Sequence, residues 1–182
     1  MSEASEKNTN CIVLNQPEFA EISEKIVAEL GEDFAGKIKI IILDDDFGNS
    51  LFVAMAKLEG LGVSIENIEA IQIQTKDDFQ KVYDEIKKNG MPHLFLIDQN
   101  MKKTSGTEFA EFLKEKFSKL LIFESVSKSE QIPPLLISNS SEKKTQKFLI
   151  EIVKSGMHGY FKVKHEFTDL FDKILKFGKA GN

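Results

Sequence analysis

The stretch HLFLIDQNMKKTSG, residues 93–106, decides how this chain is read. Four apolar residues, Leu94 to Ile97, run directly into Asp98, and a polar loop follows that closes at Gly106. Gly90 and Pro92 bound the run on its other side. A short apolar run between such breakers reads as a strand buried on both faces, as in a parallel sheet. An acid at the carboxyl end of such a strand stands where α/β sheets hold their ligands. A second apolar run, Ile38 to Leu43, ends the same way in Asp44, Asp45 and Asp46. If the two strands are neighbours, at least three carboxylates meet at one edge. That much negative charge requires compensation, and a hard divalent cation, Mg²⁺ before others, is implied.

Working outward, the rest of the chain alternates strand and helix signals. Residues Met1 to Thr9 are polar and read as a disordered tail. Asn15 and Pro17 open a helix whose Phe19, Ile22, Ile26 and Leu30 share one face. Lys37 to Leu43 is the first strand, and Asn49 or Ser50 caps a helix carrying Leu51, Phe52, Met55 and Leu58. Ile65 to Gln74 holds a second strand, and Asp77 or Asp78 opens a helix closed by Asn89-Gly90. The strand into Asp98 is third, followed by a helix from Thr107 to Lys119. Leu120 to Gln131 reads as a helix extension and an exposed loop. Leu135 to Ser138 is a fourth strand, with Ser140 or Ser141 capping a helix that ends at Gly156. Gly159 to Val163 is a fifth strand, and Phe167, Leu170, Phe171, Ile174 and Leu175 mark the last helix. This alternation predicts an α/β fold: a doubly wound five-stranded parallel sheet with helices on both faces, plus an extra N-terminal helix. The order 2-1-3-4-5 places the first and third strands, and so their acids, side by side.

The acidic strand end Ile41-Ile42-Leu43-Asp44-Asp45-Asp46, with Asp98-Gln99-Asn100-Met101 and Gly106, resembles the receiver domain of response regulators. The resemblance runs from about Lys37 to about Phe177, which divides the chain into a tail and helix, 1–36, and a receiver-like domain, 37–178. It implies that Asp98 accepts a phosphoryl group, with Mg²⁺ held by Asp44, Asp45, Asp98 and the backbone carbonyl of Asn100. It also implies a hydroxyl after the fourth strand and a lysine after the fifth. Ser138 is preferred for the first, with Asn139, Ser140 and Ser141 as neighbours in the same run. For the second, Lys162 and Lys164 flank Val163, where the family lysine would fall, and a one-residue bulge could bring either inward. His165 follows Lys164 where the family has proline. Tyr160 matches the family's switch aromatic, and the fourth helix, fifth strand and last helix are the implied output face.

The receiver resemblance implies a histidine kinase or phosphotransfer protein as donor and a downstream protein as partner. The chain ends soon after the last helix, so output through another protein, or from within a larger one, is expected. Two other readings stand beside it. A degenerate receiver would keep the fold and act as a phosphorylation-independent interaction module. A phosphatase of the haloacid dehalogenase type would use Asp44 and Asp46, although no later acidic pair follows a strand.

Composition narrows the classes. In 182 residues, 41% are hydrophobic and 29% charged, as in a soluble globular protein. A net charge of −5 with no Lys/Arg-rich run argues against direct nucleic-acid binding. A single cysteine, Cys11, excludes an internal disulfide framework. The absence of a long apolar run or a signal peptide argues against membrane partnership and for a cytoplasmic protein.

Overall fold

The structure is a computed structural model. It describes residues 9–123 and 132–180, the side chains of 117–123 excepted. The tail expected at the start, up to residue 8, and the loop over 124–131 lie outside these residues. In chain order the elements are β1 (Cys11–Val13), α1 (Gln16–Leu30), β2 (Ile40–Asp44), α2 (Asn49–Gly60), β3 (Ile68–Gln72), α3 (Phe79–Asn89) and β4 (Leu94–Ile97). A two-strand hairpin, β5 (Asn100–Met101) and β6 (Thr104–Ser105), then leads into α4 (Gly106–Phe123). β7 (Leu135–Ser138), α5 (Gln146–Ser155), β8 (Gly159–Phe161) and α6 (Thr168–Ala180) complete the chain.

Five strands run parallel in the order β3-β2-β4-β7-β8, the expected 2-1-3-4-5 arrangement. The sheet has a sixth strand, however: β1 pairs antiparallel along β8, with Cys11 opposite Phe161 and Val13 opposite Gly159. Its three residues are too few to show a period in the sequence, and only the exposed edge of β8 gives them a partner. Helices cover both faces. Alternation along β4 divides the core: Leu94 and Leu96 pack under α1, α2 and α6, and Phe95 and Ile97 under α3, α4 and α5. Phe109 of α4 lies 5.4 Å from both Phe79 and Phe95, ring to ring. Each fully buried side chain of this size contributes about 1.5–3 kcal/mol. Among the described residues, no helix is long and apolar enough to cross a membrane.

The α1 stripe packs on the sheet and α6: Phe19, Ile22 and Ile26 are buried, and the Phe19 ring sits edge-on to Phe177 at 5.4 Å. Two histidines fasten this helix at either end. His158 Nδ1 accepts the Leu136 N–H at 3.0 Å, so its other nitrogen carries the proton and faces Glu18 at 2.9 Å. His93 repeats the pattern, accepting the Lys39 N–H at 3.0 Å and facing Glu29 at 3.2 Å. Burial holds both imidazoles below their ordinary range, so both are neutral at physiological pH. The Asp169 carboxylate accepts the Asn10 and Cys11 N–H groups at 3.1 and 2.7 Å, which fixes the entry of β1.

Close approach of the N-terminal segment depends on two glycines. A Cβ on Gly159 would lie 2.6 Å from the Ile12 carbonyl oxygen, and one on Gly178 would lie 2.3 Å from Val27 Cγ2. Gly178 is inside α6, where alanine ordinarily gains up to about 1 kcal/mol. Overpacking costs about 1–3 kcal/mol and outweighs that gain. Gly178→Ala is therefore expected to lower stability by about 1–2 kcal/mol, read as a reduced urea midpoint with unchanged slope.

Helix starts account for most departures from expectation. Ser140 and Ser141 do not cap α5. Thr145 does, its hydroxyl accepting the Phe148 N–H at 3.2 Å, while Ser140 Oγ accepts from Glu142 within the preceding loop. α2 starts at Asn49 with no side-chain cap, and Asp46 accepts the Gly48 N–H just before it. Thr75 and Asp78 form a capping box ahead of α3. The strand expected to reach Val163 stops at Phe161.

Candidate functional site

Register assembles the site. Leu43 pairs with Ile97, and Ile97 with Ser138. Asp44 and Asp98 therefore each stand one residue past the same rung, and Ser138 is on that rung beside them. The Asp98 N–H donates to the Leu43 carbonyl at 3.0 Å, locking the two strand ends together. Carboxylate oxygens of Asp44, Asp45 and Asp98 all lie within 4.8 Å of one another. Asp44 and Asp98 are 5% and 9% exposed, while Asp46 is exposed. Burial, together with the charges of Asp44 and Asp45, pushes the Asp98 carboxyl up to about 7, against the opposing pull of Lys164. Burial and the neighbouring Asp44 raise Asp45 as well.

The chain after β8 supplies the cation. It leaves the sheet at Phe161 and turns through residues 162–165, with His165 at a left-handed φ of 69°. The His165 N–H donates to the Asn139 side-chain oxygen at 3.0 Å, so the loop after β7 anchors this turn. Lys164 consequently points at the acids, its Nζ 3.7 Å from Asp44 Oδ2 and 3.8 Å from Asp98 Oδ2. Lys162 is exposed in the bend, its backbone N–H donating to Asn10 at 2.9 Å. No bulge is involved; early strand termination sets which lysine enters.

Ser138 is fully buried, and its hydroxyl has no hydrogen-bond partner among the described residues. Ser140 is also buried, but its hydroxyl is engaged with its own loop; Ser141 is exposed. Asn100 begins the β5–β6 hairpin, which closes where the Gly106 N–H donates to the Gln99 carbonyl at 3.0 Å. Met101 is buried beneath the hairpin in the α3–α4 half of the core. Tyr160 is half-buried, its ring perpendicular to Phe148 at 5.7 Å.

Two residues at this edge have no signal in the sequence. Gln99 is buried, its amide reaching Thr107 and Glu151 at 3.4 and 3.5 Å. Lys144 donates to the Ser140 carbonyl at 2.8 Å, with its ammonium 4.5 Å from the Phe148 ring centroid. In sequence it is the last residue of Glu142-Lys143-Lys144, a run that reads as a solvated loop.

No protein-family model matches the sequence, and no curated protein matches it. Solved structures do match. The receiver domain of the histidine kinase CKI1 from Arabidopsis thaliana, complexed with Mg²⁺ and BeF₃⁻, aligns at TM-score 0.58 and 17% identity, over 85% of this chain and 97% of that one. The same domain complexed with Mg²⁺ aligns at 0.55 and 20% identity, over 76% and 90%. A signal receiver domain of a putative LuxO repressor protein from Vibrio parahaemolyticus aligns at 0.51 and 12% identity, over 79% and 94%. The chain has the fold of a response-regulator receiver domain.

Proposed function

We propose that this chain is a receiver that accepts a phosphoryl group on Asp98. The observation that carries the reading is the convergence of three carboxylates, Lys164 Nζ and the orphaned Ser138 hydroxyl region at the carboxyl edge of β2, β4 and β7. The donor set fits a divalent cation: all oxygens, an excess of negative charge over the one ammonium in contact with it, and hard ligands suited to Mg²⁺. Asp44, Asp45, Asp98 and the Asn100 carbonyl would hold it. When bound it neutralises charge on the phosphoryl oxygens.

The remaining work belongs to the chain. Asp98, ionised, attacks the donor's phosphorus in line; the new O–P bond forms as the bond to the donor's leaving group breaks, and that group departs with the bonding electrons. Lys164 pairs with a phosphoryl oxygen, and the Ser138 hydroxyl, without a partner among the described residues, donates to another. The donor would be a histidine kinase or phosphotransfer protein. Exposed Phe47, Phe52 and Val163, which flank the acids and Lys164 along the chain, offer it apolar surface. Signal would leave through protein contacts and reach a downstream partner. Residues 37–178 would form the receiver unit, with 1–36 as its addition. Because β1 lies along β8 and α1 on α6, contacts around Tyr160 would form from the α5 side.

The lysine at Asp98 supports this reading over a phosphorylation-independent module. The exposure of Asp46, whose carboxylate serves the turn before α2, weighs against phosphatase chemistry through it. Incubation with acetyl phosphate and Mg²⁺ is expected to add about 80 Da, one phosphoryl group, and Asp98→Ala to add nothing. No gain, or a gain that survives the substitution, would falsify the proposal. Asp44→Asn and Asp45→Asn are each expected to weaken Mg²⁺ binding by tenfold or more, on the order of 1.4 kcal/mol, measured by titration.

A further inference from the structure

Charge at the acidic edge does not close with Lys164 alone. Three carboxylates, one ammonium and a divalent cation sum to neutrality. Converting Asp98 to its acyl phosphate exchanges one negative charge for up to about two, and leaves the edge short of one positive charge. Lys144 stands beside this edge. Among the described residues its ammonium gives one hydrogen bond, to the Ser140 carbonyl at 2.8 Å, out of three donors. It rests 4.5 Å from the centroid of the Phe148 ring and 5.9 Å from that of Tyr160, themselves packed edge to face. It is close enough to feel the charges of Asp98 and Lys164 as well as that of Glu142 in its own loop.

We propose that Lys144 is a second phosphoryl-binding cation, which turns from the Phe148–Tyr160 ring pair onto a phosphoryl oxygen once Asp98 is modified. This rests on the phosphoacceptor reading and extends it to a second binding group and to the way the modification is reported. The perch on two rings holds the ammonium by cation–π attraction worth about 0.5–2 kcal/mol, which a dianionic group at Asp98 outbids. Departure of the ammonium removes the charge that faces Tyr160, so the ring pair between α5 and β8 is free to rearrange. The event at Asp98 thereby reaches Tyr160 through one lysine.

Acetyl phosphate and Mg²⁺ are applied to the full chain and to Lys144→Met and Lys144→Arg, with mass gain followed in time. Beryllofluoride is titrated in parallel, with aromatic NMR signals of Phe148 and Tyr160 as the readout. Lys144→Met is expected to slow phosphorylation and weaken beryllofluoride binding about tenfold, the size of one charge-assisted hydrogen bond. Its ring signals are expected not to respond to beryllofluoride, because the charge whose departure moves them is already gone, and Lys144→Arg remains within about threefold of wild type. A role limited to holding the loop would lower stability and leave rate, affinity and ring response unchanged, which overturns the proposal. Wild type that gains no phosphoryl group overturns the receiver reading and this inference together. Wild type that gains one at the same rate as Lys144→Met overturns the inference alone.

Discussion

In the absence of divalent cations, Asp98→Asn is expected to make the protein more stable at pH 8 by about 2–4 kcal/mol and to leave it unchanged at pH 4. The reason is a buried carboxylate among like charges. In the unfolded chain Asp98 ionises near its ordinary 3.8; in the fold burial first, then Asp44 and Asp45, push it up to about 7. Between those values the folded protein holds a proton that the unfolded one has released, so its stability falls as pH rises through this window. Below about 4 both states are protonated and the residue contributes nothing; above about 7 the loss is complete. Displacement over that interval corresponds to a ceiling of about 4 kcal/mol, part of which belongs to the neighbouring acids. Urea unfolding of both proteins in EDTA at several pH values measures the difference. A gap that stays constant from pH 4 to pH 8 would rule out the charge cluster as its cause. Magnesium should close it from the other side: at tenfold over its dissociation constant it stabilises the wild type by about 1.4 kcal/mol, and Asp98→Asn much less.

The parallel sheet was legible because its strands advertise themselves. Ile40 to Leu43 and Leu94 to Ile97 are continuous apolar runs, as burial on both faces demands, and each ends in acid. Crossover rules then left few orders in which those ends could be neighbours. The strand β1 was not legible. Cys11, Ile12 and Val13 carry no pattern of their own, and their place depends on Gly159 admitting the Ile12 carbonyl and on Asp169 receiving two N–H groups from 158 and more residues away in sequence. Contacts of that separation leave no local trace. Helix caps failed for a related reason: the run Ser138-Asn139-Ser140-Ser141 offers several short polar side chains, and propensity alone does not separate a cap from a loop. The structure gives Ser140 to the loop and the cap to Thr145.

The acids of the candidate site were readable from strand ends, whereas its cations were readable only in part: the sequence offered Lys162 and Lys164 without choosing between them. Counting along a strand cannot place Lys164, because the strand stops at Phe161 and the turn beyond it is set by Asn139 on a different loop. Lys144 is hidden further still, inside a charged run whose bland reading is a solvated surface. In each case the deciding partner is a backbone or amide group distant in sequence, and one sequence without its coordinates does not record that pairing.

Lys164→Met is expected to destabilise the metal-free protein by about 2–3 kcal/mol at pH 8, whereas Lys162→Met stays within about 0.5 kcal/mol. The Lys164 side chain is 16% exposed and lies within 4 Å of two carboxylates whose side chains are 7% and 12% exposed, so water screens this group poorly. Removing the ammonium strands both acids in a desolvated edge, and the cost of a broken buried pair exceeds the net worth of the pair. Asp98 loses the neighbouring positive charge that opposes its upward shift, so its ionisation moves further up. The cost should therefore shrink toward pH 5, where Asp98 is already neutral in the fold. A double-mutant cycle isolates the coupling: Asp98→Asn in the Lys164→Met background should recover more stability than Asp98→Asn in the wild type, by about 1–3 kcal/mol. Lys162, exposed in the bend after β8, has no ion pair among the described residues and serves as the control. Equal losses for the two lysines, or additivity in the cycle, would mean that Lys164 does not hold the acids as the geometry has it. The assignment of Lys164 to a phosphoryl oxygen would then lose its physical basis, since that role depends on the same short reach from the turn after Phe161 to Asp98.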